Sequence, residues 1–281
     1  MRALSLLLLC WCALAQPTTV TVPAPSLNGS RKAVVLLPRD YDWTPARYPV
    51  LYLLHGFTGS HEDWTRKTNL ASHAAPYPLI IVMPDGENSW YSNSATRPDY
   101  RYEDFIVKDL IGYVDGNYRS IADRHGRGIA GLSMGGFGAL KLGLKFPNLF
   151  RSTASFSGAL GLARRGVNLS GRPDVAKSIA EAFGPDDNEA HAANDPFTIL
   201  GKLGALRPWI YLDCGNSDSL LDSNRKFAEL LASQKIPYEY REPPGAHTWE
   251  YWDRQIEEYL RLLAREWRLR PAAAPMPPPP R

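Results

Sequence analysis

Gly128-Ile129-Ala130-Gly131-Leu132-Ser133-Met134-Gly135-Gly136-Phe137-Gly138 contains a Gly-x-Ser-x-Gly pentapeptide centred on Ser133. An apolar run leads into it, and a helix-compatible run, Ala139 to Phe146, leads out. The order is strand, sharp turn, helix. A serine on such a turn takes strained backbone angles, and its hydroxyl projects above the sheet. Gly131 and Gly135 allow a backbone approach that a side chain would block. Gly135, Gly136 and Gly138 weaken any helix they enter, so their presence points to a purpose other than local stability. The pentapeptide alone is a weak signal. Its strand-turn-helix context makes Ser133 a candidate nucleophile.

Outward from this turn, helical patterns alternate with β-rich runs. Thr18–Val22 and Lys32–Leu37 flank Asn28-Gly29 and read as an antiparallel hairpin. Val50–Leu54 and Leu79–Met83 are continuous apolar runs, the pattern of strands buried on both faces. His61–Ala75 suits a helix, and Asp104–Tyr118 carries a helical apolar stripe. Thr153–Phe156, Pro208–Asp213 and Pro237–Glu242 read as further strands. Ser223–Ser233 and a long segment from Trp249 to Trp267 read as helices. This alternation predicts an α/β fold with a mostly parallel sheet covered on both faces. Gly158–Arg207 has no clear strand and is a candidate cap over the sheet edge where ligands enter.

The chain has 281 residues, 44% hydrophobic and 22% charged, which suits one large α/β domain. A net charge of +3 without long Lys/Arg runs argues against a nucleic-acid partner. Residues 1–15 read as a signal peptide: Arg2, an apolar core from Leu4 to Leu14, and Ala13-Leu14-Ala15 before Gln16. The run is short for a bilayer span, so no stable membrane segment is expected after cleavage, and the product is expected to be secreted or periplasmic. The alternative is an uncleaved anchor. Cleavage removes Cys10 and Cys12 and leaves Cys214, which predicts no internal disulfide. Residues 16–270 are then the catalytic domain, and 271–281 a Pro-rich tail expected to be disordered.

A serine hydroxyl needs a base to take its proton, and the base needs an acid to orient it. In α/β-hydrolases the chain order is serine, acid, histidine. Of six histidines only His191 and His247 follow Ser133, and His191 precedes the strand expected to carry the acid. His247 lies between the last strand and the last helix, where the base belongs. Asp213, Asp218 and Asp222 are candidates for the acid. Asp213 is still within its strand, and Asp222 is placed to cap the next helix. Asp218, in the loop between them, is favoured. Oxyanion donors are expected from the backbone N–H groups of Met134 and Phe57. His55 reads as a strand-end residue that organises the Phe57 loop. Trp64, Trp90, Tyr91 and Trp249 are candidates for the mouth of the site, with Trp90 and Tyr91 weighted most. No metal-ligand spacing and no phosphate loop is evident, so no cofactor is expected.

With these residues placed, the chain resembles the Putative esterase (esterase D) family of α/β-hydrolases from about Lys32 to Leu263. Four blocks carry the resemblance: Leu54–Gly59 with Trp64; Asn88–Tyr91; Ala130–Gly136; and Asp213–Asp218 with Gly245–Trp249. It implies an α/β-hydrolase fold without a separate second domain. It also implies a Ser133–Asp218–His247 triad with Phe57 and Met134 as oxyanion donors, which agrees with the assignment by chain order. The family includes tributyrin-type carboxylesterases, acetylxylan and feruloyl esterases, S-formylglutathione hydrolases and mycolyltransferases. The expectation is a secreted serine carboxylesterase acting on short acyl esters, small or attached to polysaccharide as acetyl or feruloyl groups. The alternatives are an acyltransferase of the mycolyl type and a thioesterase acting on S-formylglutathione, which the signal peptide disfavours. A non-catalytic binding protein on this fold is expected to have a broken triad, whereas every member is present here.

Overall fold

The computed structural model describes residues 16–164, 169–185 and 188–270; the expected signal peptide and the Pro-rich tail lie outside them. Within these residues the apolar runs have become adjacent strands. They are β1 (Thr18–Ala24), β2 (Gly29–Leu36), β3 (Val50–Leu54), β4 (Ile80–Pro84), β5 (Arg127–Leu132), β6 (Ser152–Phe156), β7 (Trp209–Asp213) and β8 (Glu239–Arg241). One eight-stranded sheet results, in the order β1-β2-β4-β3-β5-β6-β7-β8. β1 and β2 pair antiparallel, as do β2 and β4; the remaining pairings are parallel. The hairpin turns through a short 3-10 segment to Asn28, which takes left-handed angles. Every residue of β3, β4, β5 and β6 is buried, because helices cover both faces.

The helices are α1 (Asp63–Lys67), α2 (Leu70–Ala74), α3 (Tyr102–Asp104), α4 (Ile111–Asn117), α5 (Met134–Lys145), α6 (Pro173–Phe183), α7 (Glu189–Asn194), α8 (Pro196–Leu200), α9 (Leu221–Ser233) and α10 (Trp249–Trp267). A π-helical stretch, Phe105–Leu110, joins α3 to α4. The helix expected over 61–75 is divided in two. The break at Asn69 lets its backbone N–H and side-chain amide reach Asp253 of α10, at 2.7 and 2.9 Å. Strand alternation splits the core. Val50, Tyr52 and Leu54 join Phe105, Phe137 and Leu142 on one face. Leu51 and Leu53 join Leu70, Tyr259 and Leu263 on the other.

The strand order reverses around β3, with β4 on one side and β5 on the other. Ligands of such sheets bind beyond the strand C-termini at this reversal. Here the loop after β3 meets the turn after β5. Leu54 pairs with Gly131, and a Cβ built on Gly56 would lie 3.5 Å from Ser133 Cβ. α5 starts at Met134, five residues earlier than its propensity suggests, and so takes in Gly135, Gly136 and Gly138. The reason is close packing. A Cβ on Gly135 would fall 2.5 Å from the carbonyl oxygens of Leu54 and His55, and one on Gly131 would fall 2.5 Å from Gly135 itself. Tertiary contact overrides helix propensity. Gly135→Ala is expected to lower stability by at least about 2–3 kcal/mol, since rigid backbone must move aside. A denaturant melt checks this; an unchanged midpoint would show that β3 and α5 can separate without penalty.

Candidate active site

Ser133 has φ 52° and ψ −115°, at the junction of β5 and α5. Its N–H donates to the Phe156 carbonyl at 2.9 Å, which fastens the strained turn to β6. The hydroxyl lies 3.0 Å from His247 Nε2. On the far side of the ring, His247 Nδ1 lies 2.8 Å from Asp218 Oδ2. An ionised carboxylate only accepts, so Nδ1 carries the proton and Nε2 is free to accept from Ser133. The Asp218 side chain is fully buried, whereas the His247 side chain is one-third exposed, at 34%. Burial by itself pushes the Asp218 carboxyl up. The bonds from His247 and from the Leu220 N–H outweigh it and hold the group below the usual aspartate range. Three elements far apart in sequence therefore meet in one hydrogen-bonded line.

Two backbone N–H groups adjoin Ser133: Met134 follows it in the chain, and Phe57 lines the same cavity. Met134 is the first residue of α5, so its N–H has no acceptor within the helix. The Phe57 N–H has no acceptor among the described residues. His55 supports that loop as expected. It is buried, with Nδ1 2.7 Å from the Gly56 carbonyl and Nε2 accepting from the Gly86 N–H at 2.9 Å.

The aspartates separate clearly. Asp213 is fully buried and accepts from the Tyr251 hydroxyl at 2.8 Å; it does not reach His247. Asp222 is not a cap. α9 begins one residue earlier, at Leu221, which leaves Asp222 exposed in the first turn and paired with Lys226 at 2.7 Å. Burial pushes the Asp213 carboxyl up to about 7, a rise that the Tyr251 and Tyr211 hydroxyls only moderate. Between the ordinary value of 3.8 and about 7, the folded chain holds a proton that the unfolded chain has released. Stability from this group therefore falls as pH rises through that window, by up to about 1.4 kcal/mol per pH unit. Asp213→Asn is expected to flatten this slope and to raise stability at pH 8. Melts at pH 5 and pH 8 check it; an unchanged pH dependence would mean that Asp213 is ionised in place.

The line opens onto a cavity of about 500 Å³. Phe57, Trp90, Trp249 and Trp252 contribute aromatic wall, and Leu162, Val175 and Leu220 aliphatic wall. Asp63, Lys67, Arg172 and Asp174 add charge. Arg172, Asp174 and Val175 bring the start of α6, within the 158–207 excursion, to the site. Of the aromatic candidates, Trp90 and Trp249 line the cavity. Tyr91 does not. It is fully buried, with its hydroxyl donating to the His55 carbonyl at 3.0 Å, so its position is structural. Trp64 is likewise core: its indole N–H donates to the Leu54 carbonyl at 3.0 Å. Trp252, read from sequence only as part of the α10 stripe, sets its ring against His247 at 4.8 Å, edge to face. No sequence signal distinguished it from its core neighbours. A second cavity, of about 420 Å³, shares Leu162, Ser219 and Leu220 with the first. Among the described residues, no His/Cys/Asp/Glu group could hold a metal ion, and no helix is long and apolar enough to cross a membrane.

A doubly covered sheet, with a serine on the turn after a central strand, defines the α/β-hydrolase class of folds. Within that class the chain belongs to the family described as Putative esterase, whose model matches residues 24–263. An esterase from Mycobacterium tuberculosis is 35% identical over 237 residues, covering 76% of this chain and 51% of that protein. The chain thus spans about half the length of that relative. An acetyl esterase from Caldicellulosiruptor saccharolyticus is 30% identical over 226 residues, covering 76% of this chain and 83% of the relative. Among solved structures, a substrate-bound fluorophosphonate-binding serine hydrolase of Staphylococcus aureus, FphF, superposes with a TM-score of 0.79. It is 25% identical, with 89% of this chain and 99% of that one covered.

Proposed function

We propose that the protein is an exported serine carboxylesterase that hydrolyses short acyl esters, acetyl esters first among them. The observation that carries this reading is the line from Ser133 through His247 to Asp218, ending in a cavity beside two unengaged N–H groups. His247 Nε2 takes the Ser133 proton as Oγ attacks the acyl carbon. The Phe57 and Met134 N–H groups receive the negative oxygen. His247 then returns the proton to the departing alcohol. Water, deprotonated by the same nitrogen, releases the acid and restores Ser133. Asp218 stays ionised and orients His247 throughout.

The charged walls favour small acyl groups. A long alkyl chain would desolvate Asp63, Lys67, Arg172 or Asp174 without replacing their water. The tryptophan surfaces suit an aromatic acyl group such as feruloyl, or a sugar ring on the alcohol side. With export, as residues 1–15 predict, the substrates are extracellular or periplasmic esters.

Purified protein should hydrolyse p-nitrophenyl acetate and butyrate at least about tenfold faster, in kcat/KM, than the dodecanoate. The panel should include acetylated xylan, a feruloylated arabinoxylan and trehalose as acyl acceptor. Ester formation on trehalose in preference to free acid would replace hydrolysis by transfer. Inertness toward every ester and toward a fluorophosphonate probe would overturn the enzymatic reading.

A further inference from the structure

Lys141 is fully buried on α5, about two turns beyond Ser133, and takes no part in the chemistry above. Its ammonium donates to the Tyr91 carbonyl at 2.7 Å, to Ser92 Oγ at 2.7 Å and to Asn194 Oδ1 at 3.2 Å. Glu103, shared with Lys145, balances the charge at 3.2 Å. The Ser92 hydroxyl in turn donates a hydrogen bond to the Trp90 carbonyl at 2.9 Å. The lysine thus holds two successive carbonyls, one directly and one through a hydroxyl.

Those carbonyls belong to an unusual turn. Trp90 and Tyr91 both take left-handed angles, with φ 55° and 49°, and neither is glycine. Such residues cost about 1–3 kcal/mol each and persist only where the surroundings impose them. The turn delivers the Trp90 indole to the cavity wall. There its N–H donates to Ser178 of α6 at 3.0 Å, and its ring lies 6.1 Å from Phe57 and 5.6 Å from Phe137. Trp90 therefore touches the loop after β3, the nucleophile helix and the excursion together. Asn194, at the end of α7, ties the Lys141 ammonium itself to the excursion. An apolar residue could fill this site at similar or lower energetic cost, but it could not supply donors to the turn.

We infer that Lys141 is a positioning residue for the acyl pocket. It locks the Trp90–Tyr91 turn, and so sets where the Trp90 indole stands and which acyl groups the cavity admits. This rests on the reading of the cavity as the acyl site of an esterase.

The test is a double-mutant cycle read as acyl selectivity, the ratio of kcat/KM for p-nitrophenyl hexanoate to that for the acetate. Trp90→Ala is expected to raise the ratio about tenfold or more and Lys141→Met about fivefold, with the double variant no different from Trp90→Ala alone. Ser92→Ala, which removes only the relay hydroxyl, should move the ratio the same way by about two- to threefold, and it stands in if Lys141→Met does not fold. Fluorophosphonate labelling of Ser133 should persist in Lys141→Met. A ratio unchanged in Lys141→Met and Ser92→Ala, or effects that add fully to that of Trp90→Ala, would overturn the inference. So would a uniform loss on both esters alongside a lowered Tm, the mark of a merely structural lysine. Failure of the unaltered protein to hydrolyse either ester would instead sink the functional reading beneath it.

Discussion

Ser133→Ala is expected to lower kcat on p-nitrophenyl acetate by about 10⁴- to 10⁶-fold, the range seen when a triad nucleophile is removed. Alanine leaves His247 and Asp218 joined at 2.8 Å and the cavity intact, so only binding and the oxyanion donors remain to act. Fluorophosphonate labelling should vanish with the activity. Ser133→Gly carries a second expectation. The position has φ 52°, where any Cβ is strained but glycine is not. Relief of about 1–3 kcal/mol exceeds the roughly 0.5–1 kcal/mol that glycine loses through unfolded-chain entropy. Ser133→Gly should therefore melt about 2–4 °C above Ser133→Ala, with both inactive. Residual activity near the parent level in either variant would remove Ser133 from the mechanism. Equal melting points would show that the turn stores no strain.

Asp218→Asn should reduce kcat by about 10⁴-fold while leaving the fold in place, as expected when a triad acid becomes an amide. Asp218 Oδ1 accepts from the Leu220 N–H at 2.9 Å, and Oδ2 faces His247 Nδ1 at 2.8 Å. In the asparagine variant the Leu220 N–H claims the amide oxygen, which turns the NH2 group toward His247. Nδ1 must then accept, the proton moves to Nε2, and Nε2 can no longer take one from Ser133. Stability should respond as well. The folded-state pKa of Asp218 is depressed, so its contribution is complete above the ordinary value of 3.8 and is lost as pH falls through the lower folded value. The variant should lack that acid-side loss. Turnover within tenfold of the parent would transfer the orienting role to another group.

Much of this was legible along the chain. The parallel core strands announce themselves as apolar runs because both of their faces are covered, and β3 and β4 fall within a residue of the expected bounds. The hydrogen-bonded line from Ser133 through His247 to Asp218 follows from residue order, since one histidine lies after the strand that precedes Asp218 and before the last helix. Propensity misled where packing prevailed. The glycines of α5 read as helix-weakening, but a Cβ on Gly135 would strike the end of β3, one on Gly136 would strike Ser155 of β6, and one on Gly138 would strike the Tyr91 ring. Asp222 had the right type and spacing for a cap, yet α9 starts one residue before it.

The composition of the site wall was legible only in part: Trp90 and Trp249 were named from sequence, Tyr91 and Trp64 are elsewhere, and Trp252 was missed. Chain position does not show which of Trp64, Trp90, Tyr91, Trp249 and Trp252 turn toward the cavity. Only the fold turns Trp90, Trp249 and Trp252 toward the cavity and buries Trp64 and Tyr91. The buried Lys141 looks like any helix-surface lysine until Glu103, Ser92 and Asn194 are brought around it. Periodicity, turn chemistry and chain order are local or one-dimensional properties, and by themselves they determined the fold class and the three residues of the line. Cavity shape and charge pairing depend on which distant segments the sheet order juxtaposes. Which of the aromatic residues form the cavity wall, and what supports them, was therefore decided by tertiary structure.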